Sequence, residues 1–569
     1  MWTPVWRVGP ADAGISAPGC VAPSGFPGGI ELYRQAYQNW AQQITVDGLW
    51  TCAPRTPDDV VEITNWAVGN GYLVRARGMM HGWSPLVVTP GNSCVDRILL
   101  VDTSQHLTGV SLVSSSPPAV RVGAGATMNE LLAFLEQHGL GVTACPAPGD
   151  ITVAGALAID GHGTAIPADG EEPVPGHTYG SLSNLIVSLT AVVWNARTSK
   201  YALRRFERSE HEIDALLVHL GRAFITEVEL RVGANCNLRC QSFVDIPASE
   251  LFCAPDSASA ATQTLASFME QSGRVEAIWY PFTDNPWLKV WTVSPNRPSG
   301  SRAVTSPYNY VFTDVIPVAV SELATLVING APALTPVLGQ AQYEVTASGL
   351  VATDSADIWG PSKDLLLYIL PTTLRVTANG YAVLCRRADV QRAVSEFAAQ
   401  YQSLVQAYQA NGSYPASMPL EIRVTGLDDP TDVQIDGASS PVLSALHPRS
   451  DHPDWDVAVW FDVLTFPNTP DSVSWYRQLE QWMYANYGSY ASVRPEWSKG
   501  WAYGPTAAWS DPTILGTTIP ATNTTARAPD EDWASALETF DRFDPHRIFT
   551  NTFLDVLMPP TSAAFARRA

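Results

Sequence analysis

The stretch RARGMMHGW, residues 75–83, decides the fold more than any other segment of this sequence. It follows a short apolar run, residues 72–76, that predicts a strand. Glycines at positions 78 and 82 allow backbone N–H groups to approach a bound diphosphate closely. The imidazole of His81 would then stand beside a cofactor. Because a single loop histidine is more often structural, this interpretation depends on the rest of the chain.

Upstream of this loop the sequence predicts an amphipathic helix. Thr56 is a suitable N-cap, Pro57 suits the first helical position, and Gly71 can end the helix. The apolar positions recur at helical spacing, at Val60, Ile63 and Ala67. The sequence therefore predicts a helix followed by a strand immediately before the loop.

Downstream, strands and helices continue to alternate until about residue 232. A strand over residues 119–124 leads to a second helix, whose start is marked by the capping box of Thr127 and Glu130 and whose end is marked by Gly139. The first strand is not followed by the pattern GxGxxG, so a Rossmann dinucleotide site is not indicated.

Three more segments rich in small residues follow the first loop in a fixed order. They are PAPGDITVAGA at 146–156 with GHGT at 161–164, YGSLSN at 179–184, and GRAFIT at 221–226. Each alone is more often an ordinary turn before a strand than a ligand contact. Their order along the chain is more specific than any one of them.

This order of motifs resembles the FAD-binding domain of vanillyl-alcohol-oxidase-type flavoproteins. The resemblance implies that the first loop cradles the FAD pyrophosphate and that His81 carries a covalent bond to the isoalloxazine ring. The other positions that it assigns to the cofactor are Arg77, Gly78, Met79, Met80, Gly82, Pro148, Gly149, Val153, Gly155, Ala156, His162, Gly163 and Ile225.

Longer segments extend the resemblance to about residues 30–558. They include AYQNW at 36–40, EAIWYPFT at 276–283, EIR at 421–423, DHPDWDVA at 451–458, RPEWSKGW at 494–501 and DPHRIFTN at 544–551. These segments are similar to those of the bacterial cholesterol oxidases of the covalent-flavin type. The likeness implies oxidation of a steroid 3β-hydroxyl to a ketone by FAD, with oxygen reduced to hydrogen peroxide, and isomerisation of the Δ5 double bond to Δ4.

The same resemblance directs attention to four candidate catalytic residues. Glu276 lies in an apolar, aromatic strand that is expected to raise the pKa of its carboxyl, as a proton-moving group requires. Glu421 and Arg423 are two apart, so in a strand they share one face, where a guanidinium can stabilise a developing alkoxide. An exposed ion pair is the plainer alternative. Asn551 matches an asparagine that reaches the flavin edge or the substrate. We assign no role to Lys499 or Asp456.

The predicted fold class is α+β, with two domains. Residues 1–28 form an extended arm, 29–240 the FAD-binding domain, 241–495 an α+β substrate-binding domain, and 496–569 a segment that returns to the FAD-binding domain. We expect residues 390–410 to be helical. An apolar cavity for a four-ring lipid is expected in the second domain, with candidate lining from Trp279, Phe282, Trp287 and Trp291.

Composition restricts the partners and the compartment. A net charge of −21 disfavours nucleic acid, and no apolar run is long enough to span a membrane. The eight cysteines lack a zinc-binding pattern, so no metal site is expected; buried free thiols are the expectation, with room for one or two disulfides. Residues 1–14 do not resemble a secretory signal, although the family habit implies secretion. We expect a monomer that contacts a membrane surface at most transiently.

Two alternatives remain open from the sequence. A related covalent-flavin oxidase could act on a sugar or another secondary alcohol, although the aromatic-rich second half speaks against it. A non-catalytic sterol carrier would require damaged flavin motifs, yet His81, Gly149, Gly155 and Gly163 are all present.

Overall fold

The first helix and the strand after it form where the sequence predicts them. The computed structural model describes residues 20–259, 261–310, 318–371 and 373–561. Helix Pro57–Asn70 begins at a capping box between Thr56 and Asp59 and ends at Gly71, whose φ of 69° is left-handed. Strand Leu73–Arg77 follows and is connected directly to the loop that contains His81.

A four-stranded sheet carries this loop. Its spatial order is Glu31–Gln38, Thr45–Ala53, Ile98–Asp102 and Leu73–Arg77. The first two strands pair antiparallel and the remaining pairs are parallel. The predicted arm lies mostly outside the described residues, which begin at Cys20.

A five-stranded antiparallel sheet lies beside it. Its spatial order is Val110–Ser115, Pro118–Gly123, Phe224–Arg231, Ile186–Asn195 and Lys200–Glu207. Helix Met128–Gln137 starts at the predicted capping box of Thr127 and Glu130, and helix Val153–Ala158 follows the PAPGDIT segment. A short pair, Leu140–Gly141 with Gly233–Ala234, completes this half.

The second half is built on a nine-stranded sheet. Its spatial order is Arg302–Ala303, Asp357–Pro361, Asn237–Phe243, Trp287–Val293, Arg274–Trp279, Leu420–Gly426, Val457–Thr465, Thr377–Cys385 and Ser492–Pro495. The predicted domain boundary between residues 240 and 241 falls within the third of these strands.

The register of this sheet gathers charged residues on one face. Glu276 stands opposite Lys289 on one neighbouring strand and opposite Arg423 on the other. Glu421 stands opposite Asp462. Since residues directly across a ladder share a face, all five side chains point the same way. The residues between them, such as Ala277, Ile422 and Phe461, are buried in the main apolar core.

Helices cover the apolar face and fill the ends of the second half. Helix Val390–Ala410 has the bounds that the sequence predicts. The remaining α-helices of the described residues, in both halves, are Asp214–Leu217, Ala248–Leu251, Leu265–Ser272, Val318–Ile328, Thr335–Ala352, Ser362–Leu366, Ser472–Asn486, Ile519–Thr522, Trp533–Phe543 and Thr552–Leu557. None of the described helices is both long and apolar enough to cross a membrane.

The C-terminal segment contacts both halves. The amide of Val74 donates to the carbonyl of Ile548 over 2.8 Å, and Ile548 is buried in the core of the first sheet. The amide of Gly500 donates to the carbonyl of Ala378 in the nine-stranded sheet over 2.7 Å. Cys20 and Cys94 form a disulfide, and the other six cysteines are thiols.

Candidate active site

One cavity of about 450 Å³ joins the two halves of the molecule. This volume lies within the range of about 300–1,000 Å³ that is usual for small-molecule and cofactor sites. Glu276, Lys289, Glu421 and Arg423 line it from the charged face of the nine-stranded sheet. From the first half it is lined by most of the residues that we predicted to bind the cofactor, namely Arg77, Gly78, Met79, Met80, His81, Gly82, Pro148, Gly155, Ala156, His162 and Ile225.

Three predicted cofactor residues shape the wall without lining the cavity. A Cβ on Gly149 would come within 2.1 Å of the side-chain oxygen of Asn129, and one on Gly163 within 2.7 Å of the backbone of Cys145. Val153 is buried at the start of its helix. The close approach of other protein groups, rather than of a ligand, accounts for the small residues at 149 and 163.

The loop at residues 77–82 has the features of a dinucleotide cradle. Gly78 packs so closely on Thr152 that a Cβ would lie 2.3 Å from its hydroxyl oxygen, whereas a Cβ on Gly82 would meet nothing within 4 Å. Arg77 pairs with Asp102 over 2.5 Å, and its buried Nε has no hydrogen-bond partner within the described ranges. Met80 adopts a left-handed φ of 56°. The open space at Gly82 and the unpartnered Nε–H of Arg77 are features that suit the binding of FAD.

His81 is held against an aromatic side chain in a desolvated position. Its ring stacks on Trp40 with centroids 3.8 Å apart, and the guanidinium of Arg375 lies 3.5 Å from the Trp40 centroid. Burial lowers the pKa of His81 to about 3, and the positive charges of Lys499 and Arg375 add to this effect. The imidazole is therefore neutral at neutral pH and keeps a lone pair for bond formation.

Glu276 is almost fully buried and surrounded by donors. The hydroxyl of Tyr368 donates to its two oxygens over 3.0 and 2.8 Å, Lys289 Nζ lies 3.2 Å away, and Arg423 Nη1 lies 3.7 Å away. Burial acts to raise the pKa of Glu276, but Lys289 and Arg423 outweigh it, so the pKa is lowered. Our prediction of a raised pKa was wrong because Lys289 faces Glu276 from the adjacent strand.

Lys289 is fixed inside an aromatic box. Its Nζ lies 3.3 Å from the ring centroid of Tyr368, 4.6 Å from that of Trp291, 5.0 Å from that of Tyr310 and 5.4 Å from that of Trp287. Such cation–π contacts are strongest when the cation is desolvated, and Lys289 is 0% exposed. The box holds a positive charge beside Glu276, and one of its members, Tyr368, also donates its hydroxyl to the Glu276 oxygens.

Glu421 and Arg423 lie inside the cavity rather than on an exposed surface. Arg423 Nη1 is 3.6 Å from Glu421, and its Nη2 contacts the fully buried Asp462. Burial raises the pKa of Glu421, the negative charge of Glu276 adds to the rise, and Arg423 opposes it. The two carboxyls therefore have pKa values shifted in opposite directions, the pattern expected when one site must both accept and donate protons.

The sequence did not reveal a second ionic group on the cavity wall. Glu496 Oε1 lies 3.8 Å from both His162 Nε2 and Lys499 Nζ. His162 stacks on Trp460 with centroids 3.7 Å apart, and Lys499 Nζ lies 4.2 Å from the centroid of Trp83. Alternating charged and aromatic residues in RPEWSKGW were the available signal for Glu496 and Lys499. A lysine inside the apolar strand WLKVW was the signal for Lys289.

Asn551 does not line the cavity, contrary to the predicted contact with flavin or substrate. Its side-chain oxygen accepts from the amide of Leu554 and caps helix Thr552–Leu557, while its amide group donates to the carbonyls of Pro85 and Val87 over 2.9 and 3.3 Å. All its polar atoms are committed to the backbone, so it supports the cavity wall from behind.

The expected aromatic lining is also corrected. Trp287 lines the cavity, but Trp279, Phe282 and Trp291 do not. Trp279 and Trp291 each donate from Nε1 to a backbone carbonyl of the core, at Thr283 and Leu365. Among the described residues no group of histidine, cysteine and acidic side chains could hold a metal ion.

Comparison with known proteins agrees with this geometry. A family model described as "Cholesterol oxidase, substrate-binding" matches residues 237–559, and one described as "FAD binding domain" matches residues 50–198. The structure of a solvent-stable cholesterol oxidase is 52% identical, covers 94% of this chain and 100% of its own, and has a TM-score of 0.92. That of cholesterol oxidase from B. sterolicum is 45% identical, with 96% and 100% coverage and a TM-score of 0.93.

A more distant relative matches only in part. L-gulonolactone oxidase from Bos taurus is 24% identical over 273 residues, which is 47% of this chain and 53% of that protein. The alignment therefore spans about half the length of that relative.

The flavin loop and the facing row of carboxylates, lysine and arginine define an FAD-dependent oxidoreductase with a two-domain α+β fold. The match across nearly the whole chain then makes the family plain: this protein belongs to the cholesterol oxidases.

Proposed function

We propose that this protein oxidises the 3β-hydroxyl of cholesterol and related sterols and isomerises the Δ5 double bond to Δ4. The observation that carries the proposal is the single cavity that joins the FAD loop to Glu276, Glu421 and Arg423. FAD held by the loop at residues 77–82 would supply the hydride acceptor for the alcohol carbon, with oxygen as the final electron acceptor that yields hydrogen peroxide. Peroxide release on addition of cholesterol, with a 3-keto-4-ene as product, tests the function directly.

The two carboxyls take different parts in this reaction. Glu276 is ionised at neutral pH because its pKa is lowered, so it can take a proton from one ring carbon and return it to another. Glu421 has a raised pKa and accepts the hydroxyl proton as hydride leaves. Arg423, 3.6 Å from Glu421, stabilises the negative charge that develops on the substrate oxygen.

We further propose that FAD is attached covalently through His81. The neutral, stacked imidazole facing the cavity supports this assignment. The bond replaces the imidazole N–H and one C–H of a methyl group on the isoalloxazine ring by a C–N bond. The two electrons and two protons that are released reduce one oxygen molecule to hydrogen peroxide, so the step is balanced.

In the variant His81→Ala, we expect an FAD-sized mass to disappear from the denatured protein. His219→Ala is a matched control, since His219 lines the same cavity and burial also lowers its pKa to about 3. The control should keep the adduct, measured by intact mass and by absorbance after acid precipitation. An unchanged adduct in His81→Ala would mean that another residue carries the flavin.

A sugar or other secondary alcohol is the alternative substrate, supported by the partial similarity to L-gulonolactone oxidase. Peroxide from alditols or lactones but from no sterol would favour it. A protein that binds sterol but stays colourless and releases no peroxide would instead be a carrier.

We propose that sterol enters from a lipid surface next to helices Val318–Ile328 and Thr335–Ala352. Val320, Gln342 and Val345 on these helices line the cavity. On the outside, Leu326 is 53% exposed and Val337 is 56% exposed. Residues 318–343 contain a single charged side chain, Glu322, in a chain whose net charge is −21. An exposed apolar surface beside a lipid-binding cavity suits contact with uncharged lipid headgroups.

The double variant Leu326→Glu with Val337→Glu should raise KM for cholesterol in phosphatidylcholine vesicles by about tenfold or more, because each charge must be dehydrated at the surface. Activity on detergent-solubilised cholesterol should stay within about twofold, as for a surface substitution away from the chemistry. Val351→Glu, on the 80% exposed residue near the far end of the second helix, is the control. Equal losses on both substrate forms would contradict the proposal.

We also propose that the protein is a secreted monomer. The Cys20–Cys94 disulfide supports an oxidising compartment. Fractionation of the source organism and light scattering of the purified protein test the two statements.

A further inference from the structure

A pair of buried carboxyls lies at the cavity wall, outside the groups used above: Asp160 lines the cavity and Asp428 does not. Asp160 belongs to the first half and Asp428 to the loop that follows strand Leu420–Gly426. Both contact the hydroxyl of Ser444: Asp160 Oδ2 at 3.0 Å and Asp428 Oδ2 at 2.5 Å. Asp160 is 2% exposed, and Asp428 and Ser444 are 0% exposed. The cluster therefore joins the two halves in a dry interior.

The hydrogen-bonding capacity of Ser444 limits how both carboxyls can bond to it. A serine hydroxyl has one hydrogen to donate and two lone pairs to accept with. The amide of Leu446 donates to this oxygen over 2.9 Å and occupies one lone pair. Ser444 can donate to one carboxylate only, so a hydrogen bond at the other contact requires a proton on the second carboxyl.

The hydrogen-bond partners favour Asp160 as the protonated carboxyl. The hydroxyl of Ser444 makes its shorter contact with Asp428, as it would when it donates to a carboxylate. Asp428 also accepts from the amide and the hydroxyl of Ser181, over 2.7 and 3.1 Å. Asp160 accepts from the amide of Ala445 over 2.8 Å, and its buried Oδ1 has no partner within the described part of the chain.

The charges facing the pair are consistent with one shared proton. Arg494, 0% exposed, interacts favourably with both carboxyls and donates to the carbonyls of Ala445 and His447. Arg208 interacts favourably with Asp428. Burial, followed by the negative charge of Asp428, raises the pKa of Asp160 to about 7. Asp432 repels Asp428, and Asp214 shares Arg208 with it, so the surrounding charges favour one negative charge on the pair rather than two.

Asp160 connects this proton to the cavity wall. Its φ of 65° turns the chain into Gly161 and His162, which line the cavity. A Cβ on Gly161 would lie 2.8 Å from the carbonyl of Ala156, so this turn packs closely on the helix Val153–Ala158. His162 in turn stacks on Trp460 and pairs with Glu496.

We propose that one proton, shared between Asp160 and Asp428 through the Ser444 hydroxyl, positions the cavity-lining turn at residues 160–162. Asp160 is thus a positioning residue for the flavin side of the cavity. Loss of the proton places two carboxylates against one hydroxyl, and their repulsion moves this turn away from the loop at residues 427–446.

Asp160→Asn tests the proposal because its amide donates a hydrogen bond to Ser444 without needing the proton. In the parent protein, kcat/KM should fall by about tenfold for each pH unit above 7 as the single proton is lost. Asp160→Asn should stay active on the alkaline side, and Asp160→Ala should be impaired at every pH. Asp214→Asn is the matched control, since burial also raises the pKa of Asp214 to about 7. It should keep the parent profile.

The activity assay for this inference rests on the proposed function. Two further measurements do not depend on turnover, so they test the shared proton even if the proposed function is wrong. Other buried carboxyls, such as Asp214, contribute to the infrared carbonyl region, so the spectrum of Asp160→Asn is subtracted from that of the parent. This difference spectrum should show the band of a buried carboxylic acid at pH 6 and lose it at pH 9. The native state binds the extra proton, so the Tm of the parent relative to Asp160→Asn should fall from about pH 4 to about pH 7 and level off above. An alkaline loss of activity that is the same in the parent and in Asp160→Asn, or a difference spectrum without the carboxylic-acid band at pH 6, would overturn the proposal.

Discussion

Replacing Glu276 by glutamine should lower the rate of Δ5-to-Δ4 isomerisation by roughly 10²- to 10⁴-fold, the usual contribution of a positioned acid–base group. Glutamine keeps the shape and can accept a hydrogen bond from Tyr368, but it cannot take a proton from a ring carbon. The 3-keto-5-ene should accumulate, which chromatography and the missing absorbance of the conjugated enone will reveal. Peroxide formation should decrease much less.

Glu421→Gln is the matched control because it makes the same change on the same face of the sheet. It should slow peroxide formation more than isomerisation. Because the pKa of Glu276 is lowered, isomerisation by the parent protein should be lost only as pH falls below the ordinary value of 4.5, where the carboxylate becomes protonated. Isomerisation at the parent rate in Glu276→Gln, or equal loss of both activities in both variants, would contradict the division of roles.

Arg423→Met should lower kcat for oxidation by roughly 10²- to 10³-fold, the loss typical of a group that stabilises a developing oxyanion. It should also destabilise the fold by about 3–5 kcal/mol, the cost of leaving a buried charge without its partner. The uncompensated charge is that of Asp462, which is 0% exposed and pairs with Arg423. Stopped-flow reduction of the flavin and thermal unfolding measure the two effects.

A second substitution separates the effect of Arg423 on oxidation from its effect on stability. In Arg423→Met with Asp462→Asn the buried charge is gone, so much of the stability should return while oxidation stays slow. Arg423→Lys should retain part of the activity, since it keeps the charge but not the forked contact with three carboxylates. Recovery of oxidation together with stability in the double variant would show that Arg423 has only a structural role.

The features of this fold that depend on neighbouring residues were predictable from the sequence. Thr56 and Thr127 start helices through capping boxes, and helix Val390–Ala410 has the predicted bounds, because caps and helical periodicity involve residues only a few positions apart. The pairing of Glu421 with Arg423 was predictable for the same reason, since two residues in one strand share a face.

Contacts between distant strands were not predictable in this way. Lys289 faces Glu276 from a neighbouring strand, and the sheet register decides that a buried carboxyl has a lowered rather than a raised pKa. His162 comes within 3.8 Å of Glu496 on the cavity wall, a contact between segments far apart in the sequence that no local pattern specifies. The role predicted for Asn551 rested only on the family resemblance, whereas in the structure its side chain caps a helix.

The charged face of the nine-stranded sheet also bears on how the chain reaches its native pairing. A slip of one residue between strands Arg274–Trp279 and Leu420–Gly426 would turn the carboxylate of Glu276 or the guanidinium of Arg423 toward the helices on the opposite face. Such a charge would be buried among apolar side chains without a counter-ion. The charged residues of the active site therefore also destabilise misregistered sheets during folding. Neutral replacements at several of these positions should yield more misfolded protein, even where the native state tolerates the replacements.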